Sequence, residues 1–316
     1  MTLSGIPDPA LNAPLAHLGG AKPDAPGWFV EALEQAPERA FVPVAGARIE
    51  ALTWGERGRA GLVFLHGNAA HADWWSFIAP FFAAEYRVAA LSWSGMGGSD
   101  WRERYSLDLF VEEAVTVAQA AGLFDGGAKP VIVGHSFGGF ITVATAARLG
   151  ERFGAAITID MPIFSEERRR THRANRQRQE TRPNRVYPTL ESALARFRYA
   201  PVQPCANLFI TDHIARTSLK QVTAETGQEG WTWRFDPFLW RDYEGEDPAP
   251  SLAVPRCPLT LVTGARSTLM QPEDMDRMRS LLRPSSPVIE IPEAYHHVMA
   301  DQPLALVAAL RALLAR

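Results

Sequence analysis

The stretch VIVGHSFGGF, Val131 to Phe140, constrains this chain more than any other. A short apolar run breaks into Gly134-His135-Ser136-Phe137-Gly138 and passes into a helical pattern over Gly139–Leu149. The pattern G-x-S-x-G between a strand and a helix puts the serine in a sharp turn, where a side chain at the flanking positions would collide with adjacent backbone. The helix behind it turns unpaired N–H groups and a positive dipole end toward the same point. Two readings compete: the glycines serve a tight turn, as in a phosphate-binding loop, or the turn exists to expose the serine.

The surrounding pattern favours exposure. Apolar runs recur at Phe41–Val44, Ile49–Trp54, Leu62–Leu65, Val88–Leu91, Val131–Val133, Ala156–Ile159, Leu259–Val262 and Val288–Ile291. Between many of them lie helical patterns at Trp74–Ala84, Leu107–Ala121, Gly139–Leu149, Pro272–Leu282 and Pro303–Leu314. Apolar strands alternating with amphipathic helices predict an α/β architecture, a mostly parallel central sheet with helices on both faces. Residues 1–39, rich in Pro, Gly and Ala, read as an N-terminal arm. Residues 164–250 interrupt the alternation without a clear strand and predict a helical cap inserted into a core of 40–163 and 251–316.

Composition removes several partners. A formal charge of −3 argues against nucleic acid or an anionic membrane surface. Cys205 and Cys257 are the only cysteines, which gives neither a disulfide framework nor a metal site and fits a reducing cytoplasm. No basic leader is visible, and no apolar stretch approaches the ~20 residues a membrane helix needs. The expectation is a cytoplasmic protein with no cofactor and no metal; its oligomeric state is left open.

Two further stretches carry chemistry. Leu62-Val63-Phe64-Leu65-His66-Gly67-Asn68 is a strand ending in a His-Gly turn, and Tyr295-His296-His297 follows the last strand run. Together with Ser94-Gly95-Met96-Gly97-Gly98-Ser99-Asp100 and the Ser136 turn, these motifs make the chain resemble a cap-bearing α/β-hydrolase of the lipase- and esterase-like kind, from about Phe41 to Arg316. The resemblance implies Ser136 as nucleophile and His296 as base, the latter by its interval to Asp301-Gln302-Pro303. It also implies an oxyanion hole from the backbone N–H groups of Asn68 and Phe137.

The acid departs from the family pattern. Relatives usually place it after the next-to-last strand as Gly-x-x-Asp, but here the loop reads Gly264-Ala265-Arg266-Ser267-Thr268. Ser267 cannot hold imidazolium charge, and Glu273 and Asp274 read as first-turn carboxylates of a helix. Asp160, at the tip of Ala155-Ala156-Ile157-Thr158-Ile159-Asp160, lies on the strand run after the serine's, and every parallel strand opens onto the same crevice. Asp160 is therefore the expected acid, a choice that some members of the superfamily also make.

Trp231, Trp233, Phe235, Phe238 and Trp240 crowd ten positions of the cap. Most should pack the cap, while Trp231 and Trp240, with His71 and Trp75 beyond the His-Gly turn, are candidates to line an apolar pocket. Between Glu166 and Arg185 stand eight arginines against three glutamates, read as a solvated helix, with steering of an anionic substrate by Arg168, Arg169 or Arg173 as the alternative. The expected function is cleavage of a small carboxylic ester or lactone. A cofactor-free perhydrolase or C–C bond hydrolase would use the same triad, and a binding protein on this fold is the rival outside catalysis. A haloalkane dehalogenase or epoxide hydrolase would need an aspartate at position 136.

Overall fold

The computed structural model describes residues 9–171, 182–223, 227–241 and 243–315. Its centre is an eight-stranded sheet. The strands are β1 Glu38–Val44, β2 Ala47–Trp54, β3 Ala60–Leu65, β4 Tyr86–Leu91, β6 Val131–His135, β7 Ala155–Ile159, β11 Leu259–Gly264 and β12 Val288–Ile291. They are ordered β1-β2-β4-β3-β6-β7-β11-β12. β1 and β2 form an antiparallel edge, and β4, β3, β6, β7, β11 and β12 run parallel, as the alternating pattern requires.

Both faces of the sheet are covered, so its central strands are apolar throughout. Along β3, Leu62 and Phe64 enter one core cluster while Val63 and Leu65 enter the other, all at 0% exposure. The helices Leu107–Ala120, Phe137–Leu149 and Pro272–Leu281 cover the second face, and Pro303–Leu314 covers the first. The helix Leu107–Ala120 starts at Ser106, whose hydroxyl accepts from Leu109 N at 3.2 Å and so satisfies one first-turn donor.

Two expectations need correction. Instead of one helix over Trp74–Ala84, the chain makes two short 3₁₀ turns, Ala72–Trp75 and Ala79–Phe82. The residues from Trp74 to Pro80 are all buried, so no solvent face exists for an amphipathic helix to present. The insertion is also not purely helical. It carries an antiparallel hairpin, β8 Leu219–Thr223 with β9 Glu229–Trp233, and a short strand β10 Tyr243–Glu244 that pairs with β5 Tyr105–Ser106 in the core. The segment after β9 docks on the loop after β4, through Asp236 N to Gly95 O at 2.7 Å and Gly97 N to Arg234 O at 2.8 Å.

The N-terminal arm lies against this insertion. Phe29, on the helix Gly27–Glu34, meets Phe209 on the helix Leu208–Thr217 with ring centroids 4.9 Å apart. Arg216 adds a 2.7 Å hydrogen bond to the Gly20 carbonyl. Among the described residues no helix is long and apolar enough to cross a membrane.

Candidate active site

The sheet brings three chain segments to one edge. Beyond the last paired residues of β6 and β7, Ser136 N donates to Ile159 O at 2.9 Å and Asp160 N donates to Val262 O at 2.7 Å. The ladder therefore runs one residue past the strand ends and lays Ser136, Asp160 and the end of β11 side by side. Ser136 takes φ 51° and ψ −114°, and Asp160 takes φ 46°. Left-handed backbone at a non-glycine residue costs ~1–3 kcal/mol and persists only where its surroundings enforce it. Gly138 lets the turn pack this closely on β3, since a β-carbon there would stand 2.5 Å from the Leu65 carbonyl oxygen.

His296 joins Ser136 to Asp160. Its Nδ1 lies 2.7 Å from Asp160 Oδ2 and its Nε2 lies 3.0 Å from Ser136 Oγ. A carboxylate oxygen only accepts, so Nδ1 carries the proton and Nε2 offers its lone pair to the serine hydroxyl. Asp160 is 0% and His296 2% exposed, while Ser136 is half-buried and open to a ligand.

The Asp160 carboxylate is held on all sides. Oδ1 accepts from Gly264 N at 2.9 Å, and Oδ2 accepts from Ser267 Oγ at 2.6 Å as well as from His296. Glycine at 264 lets the histidine loop come close, because a β-carbon there would run into the carbonyls of Ala294 and Tyr295. Asp274, read from the sequence as a first-turn carboxylate, is fully buried elsewhere, its Oδ1 accepting from Ser165 N at 2.9 Å and its Oδ2 paired with Arg168.

Three polar neighbours support the site, of which His135 and Gln203 had no role assigned from the sequence and His66 was read only as part of the His-Gly turn. His135 Nε2 donates to the His296 carbonyl at 2.9 Å and holds His296 by its backbone; burial keeps the His135 ring neutral, well below the usual histidine range. Gln203 Oε1 accepts from His297 Nδ1 at 2.7 Å and from His297 N at 3.0 Å, while its amide donates to both Asp301 oxygens at 2.9 and 3.0 Å. His66 Nε2 accepts from Trp93 N at 3.0 Å, so Nδ1 donates to Gly67 O at 2.7 Å and stiffens the turn before Asn68. Burial pushes His66 down to about 3, which leaves it a neutral strut.

That turn adjoins the serine: a β-carbon on Gly67 would come within 3.2 Å of the Ser136 Cβ. Phe137 N opens a helix and belongs to the first-turn donors that lack an intrahelical acceptor. Trp240 seals this corner, donating from Nε1 to Asn68 Oδ1 at 2.8 Å and meeting the Phe137 ring edge-on at 5.0 Å.

Of the four expected pocket residues, only Trp240 is at the site. Trp75 is 0% exposed and stacks on Phe64, centroids 4.8 Å apart, because the 3₁₀ turn presses it under β3. His71 is buried between Ser218 Oγ, at 2.9 Å, and Asp73 Oδ2, at 3.3 Å, and fastens the insertion to the core. Trp231 pairs with Tyr187 and packs the hairpin. A cavity of about 330 Å³ beside Asn68 and His297 is walled instead by Trp74, Tyr187, Trp233 and Phe235. A second cavity of about 460 Å³ lies over Phe140 and Pro162; Ser136, Asp160 and His296 line neither cavity, and the first approaches them through Asn68 and His297. Arg168 and Arg169 face Asp274 and Asp247, and Arg173 lies outside the described residues. Among the described residues no group of three or more His, Cys, Asp or Glu side chains is placed to hold a metal ion.

Comparison with known proteins agrees on the fold. The sequence model of the alpha/beta hydrolase family matches residues 62–310. Esterase Rv0045c of Mycobacterium tuberculosis is 26% identical over 277 residues, 85% of this chain and 87% of that protein. A solved structure of that esterase superposes with a TM-score of 0.68 at 22% identity, covering 99% of this chain and 100% of the other. A thioesterase domain from the curacin biosynthetic pathway gives a TM-score of 0.71 at 22% identity, covering 87% of this chain and 99% of that one. Human Epoxide hydrolase 4 is 30% identical over 128 residues, which span 39% of this chain and only 34% of that protein.

Proposed function

The chain belongs to the alpha/beta hydrolase family, and on that premise we propose that it is a serine hydrolase cleaving small carboxylic esters or lactones through an acyl-enzyme on Ser136. The observation that carries this reading is the unbroken relay from Asp160 Oδ2 through His296 to Ser136 Oγ, with steps of 2.7 and 3.0 Å. The esterase relative that aligns over most of the chain supports it. The epoxide hydrolase relative does not redirect it, because Ser136 stands where that chemistry needs a carboxylate.

In this mechanism Ser136 Oγ attacks the acyl carbonyl as His296 Nε2 takes the hydroxyl proton. Asp160 accepts from Nδ1 and stabilises the imidazolium without becoming protonated. The N–H groups of Asn68 and Phe137 receive the tetrahedral oxyanion; one such donor is worth ~10²–10³ in kcat elsewhere. Collapse of the intermediate breaks the bond to the alkoxide, which leaves with the proton held by His296. Water, deprotonated by the same nitrogen, then attacks the acyl-enzyme and releases the acid and Ser136.

Hydrolysis of a short-chain p-nitrophenyl ester, with intact-mass labelling by a fluorophosphonate, tests this. The expected result is turnover and one label on Ser136, both absent in Ser136→Ala. A wild type with neither turnover nor label would make the protein a ligand-binding member of its fold.

A further inference from the structure

The loop Ala195-Arg196-Phe197-Arg198-Tyr199-Ala200 alternates strictly in burial. Phe197 and Tyr199 are 6% and 2% exposed and pack edge to face at 5.2 Å, which turns Arg196 and Arg198 outward. Both arginines nevertheless line the 330 Å³ cavity that Asn68 and His297 border and that Trp74, Trp233 and Phe235 wall. No aspartate or glutamate lines it, and burial holds the His297 ring neutral. Other insertion arginines are already neutralised: Arg168 by Asp274, Arg169 by Asp247, Arg216 by Asp212 and Arg234 by Glu50. Among the described residues no carboxylate faces Arg196 or Arg198.

We propose that the substrate is an anionic ester whose carboxylate, remote from the scissile bond, is received by Arg196 and Arg198 at the mouth of this cavity. The inference rests on the ester-hydrolase reading above. Guanidinium groups present a planar fork of donors that matches a carboxylate, and low-dielectric aromatic walls focus their field into the cleft. The aromatic wall accepts the apolar spacer between the two ends of such a substrate, and the volume is at the small end of ligand pockets. The anionic-substrate alternative raised by the sequence thus moves from the paired Arg168 and Arg169 to a pair of arginines it did not single out.

The test compares esters of equal length that differ only in a terminal carboxylate. Mono-p-nitrophenyl adipate is set against p-nitrophenyl hexanoate on the acyl side, and 4-acetoxybenzoate against 4-methylphenyl acetate on the alcohol side. The wild type is expected to prefer the anionic member of one pair by about tenfold in kcat/KM, the worth of one charge-assisted hydrogen bond. That ratio should fall to about one in Arg196→Ala/Arg198→Ala and recover in part in the double lysine variant. A ratio of one or less for both pairs in the wild type, or a preference that survives the double alanine change, overturns the proposal.

Binding separates this failure from failure of the hydrolase reading. Monomethyl adipate is titrated into Ser136→Ala and into Ser136→Ala/Arg196→Ala/Arg198→Ala, read by the fluorescence of the cavity tryptophans. Arginine-dependent binding supports the anion site even if no ester is turned over. Absent binding, in a protein that does turn over neutral esters, overturns the site alone.

Discussion

Ser267 Oγ lies 2.6 Å from Asp160 Oδ2, the same oxygen that faces His296 Nδ1 at 2.7 Å. The loop position that usually supplies an acid here supplies a donor to the proposed acid instead. With Gly264 N on the other oxygen, it fixes the carboxylate plane and so the orientation of the imidazole. Ser267→Ala should lower kcat of ester hydrolysis by about 10- to 100-fold, corresponding to ~1.5–3 kcal/mol for a hydrogen bond to a charged group. Steady-state kinetics on a p-nitrophenyl ester measure it; an unchanged kcat would mean that Asp160 is held without this contact.

Trp240 ties the insertion to Asn68, through Oδ1, and to the Phe137 ring, the two residues proposed to supply the oxyanion N–H groups. Trp240→Phe keeps the ring contact and removes the indole N–H. We expect kcat to fall about 3- to 10-fold with little change in KM, the size of one neutral hydrogen bond. A rise in KM alone would make Trp240 a wall of the pocket and not a support for Asn68.

Asp301 predicts a pH dependence of stability. Burial pushes its carboxyl up to about 7, with Asp160 adding repulsion and the donors Tyr295 N and Gln203 opposing. The unfolded chain titrates this group at ~3.9. Between these values the folded state keeps a proton that the unfolded state has lost, so stability from this group is full below pH ~4 and is lost as pH rises through about 7. The Tm of the wild type should therefore drop more from pH 5 to pH 8 than that of Asp301→Asn. Parallel Tm profiles would contradict the assignment.

Asp274 is 0% exposed and balanced by Arg168 and by Ser165 N at 2.9 Å. Arg168→Ala strands a buried carboxylate and should cost about 3–5 kcal/mol in denaturant unfolding. Arg168→Ala/Asp274→Leu should recover most of that loss. A loss under 1 kcal/mol in the single variant would show that the pair contributes little to stability.

The sheet was legible because each parallel strand is a short apolar run buried on both faces, and Asp160 was legible because its strand carries a carboxylate to the edge where Ser136 sits. The hairpin was not. Leu219 is buried but Lys220, Gln221 and Thr223 are exposed, a pattern too polar to read as a strand without the partner Glu229–Trp233 and the core beneath it. The 3₁₀ turns at Ala72–Trp75 and Ala79–Phe82 were read as one helix because burial on every side leaves no periodicity to separate the two. His135 and Gln203 act through contacts 161 and 94 residues away, which no local pattern encodes. Ser267 did carry a signal: a small hydroxyl residue at the vacated acid position, opposite a carboxylate on the neighbouring strand.

Asp160→Asn tests the central claim most directly. The amide preserves shape and packing but can present a donor to His296 Nδ1, favouring the tautomer that cannot take the serine proton. The loss of the corresponding acid in a well-studied serine protease costs ~10⁴ in kcat. Measured on a p-nitrophenyl ester beside wild type and Ser136→Ala, Asp160→Asn should lose activity on that scale while retaining its fold by circular dichroism. Wild-type turnover in Asp160→Asn would contradict the account and move the acid off this strand.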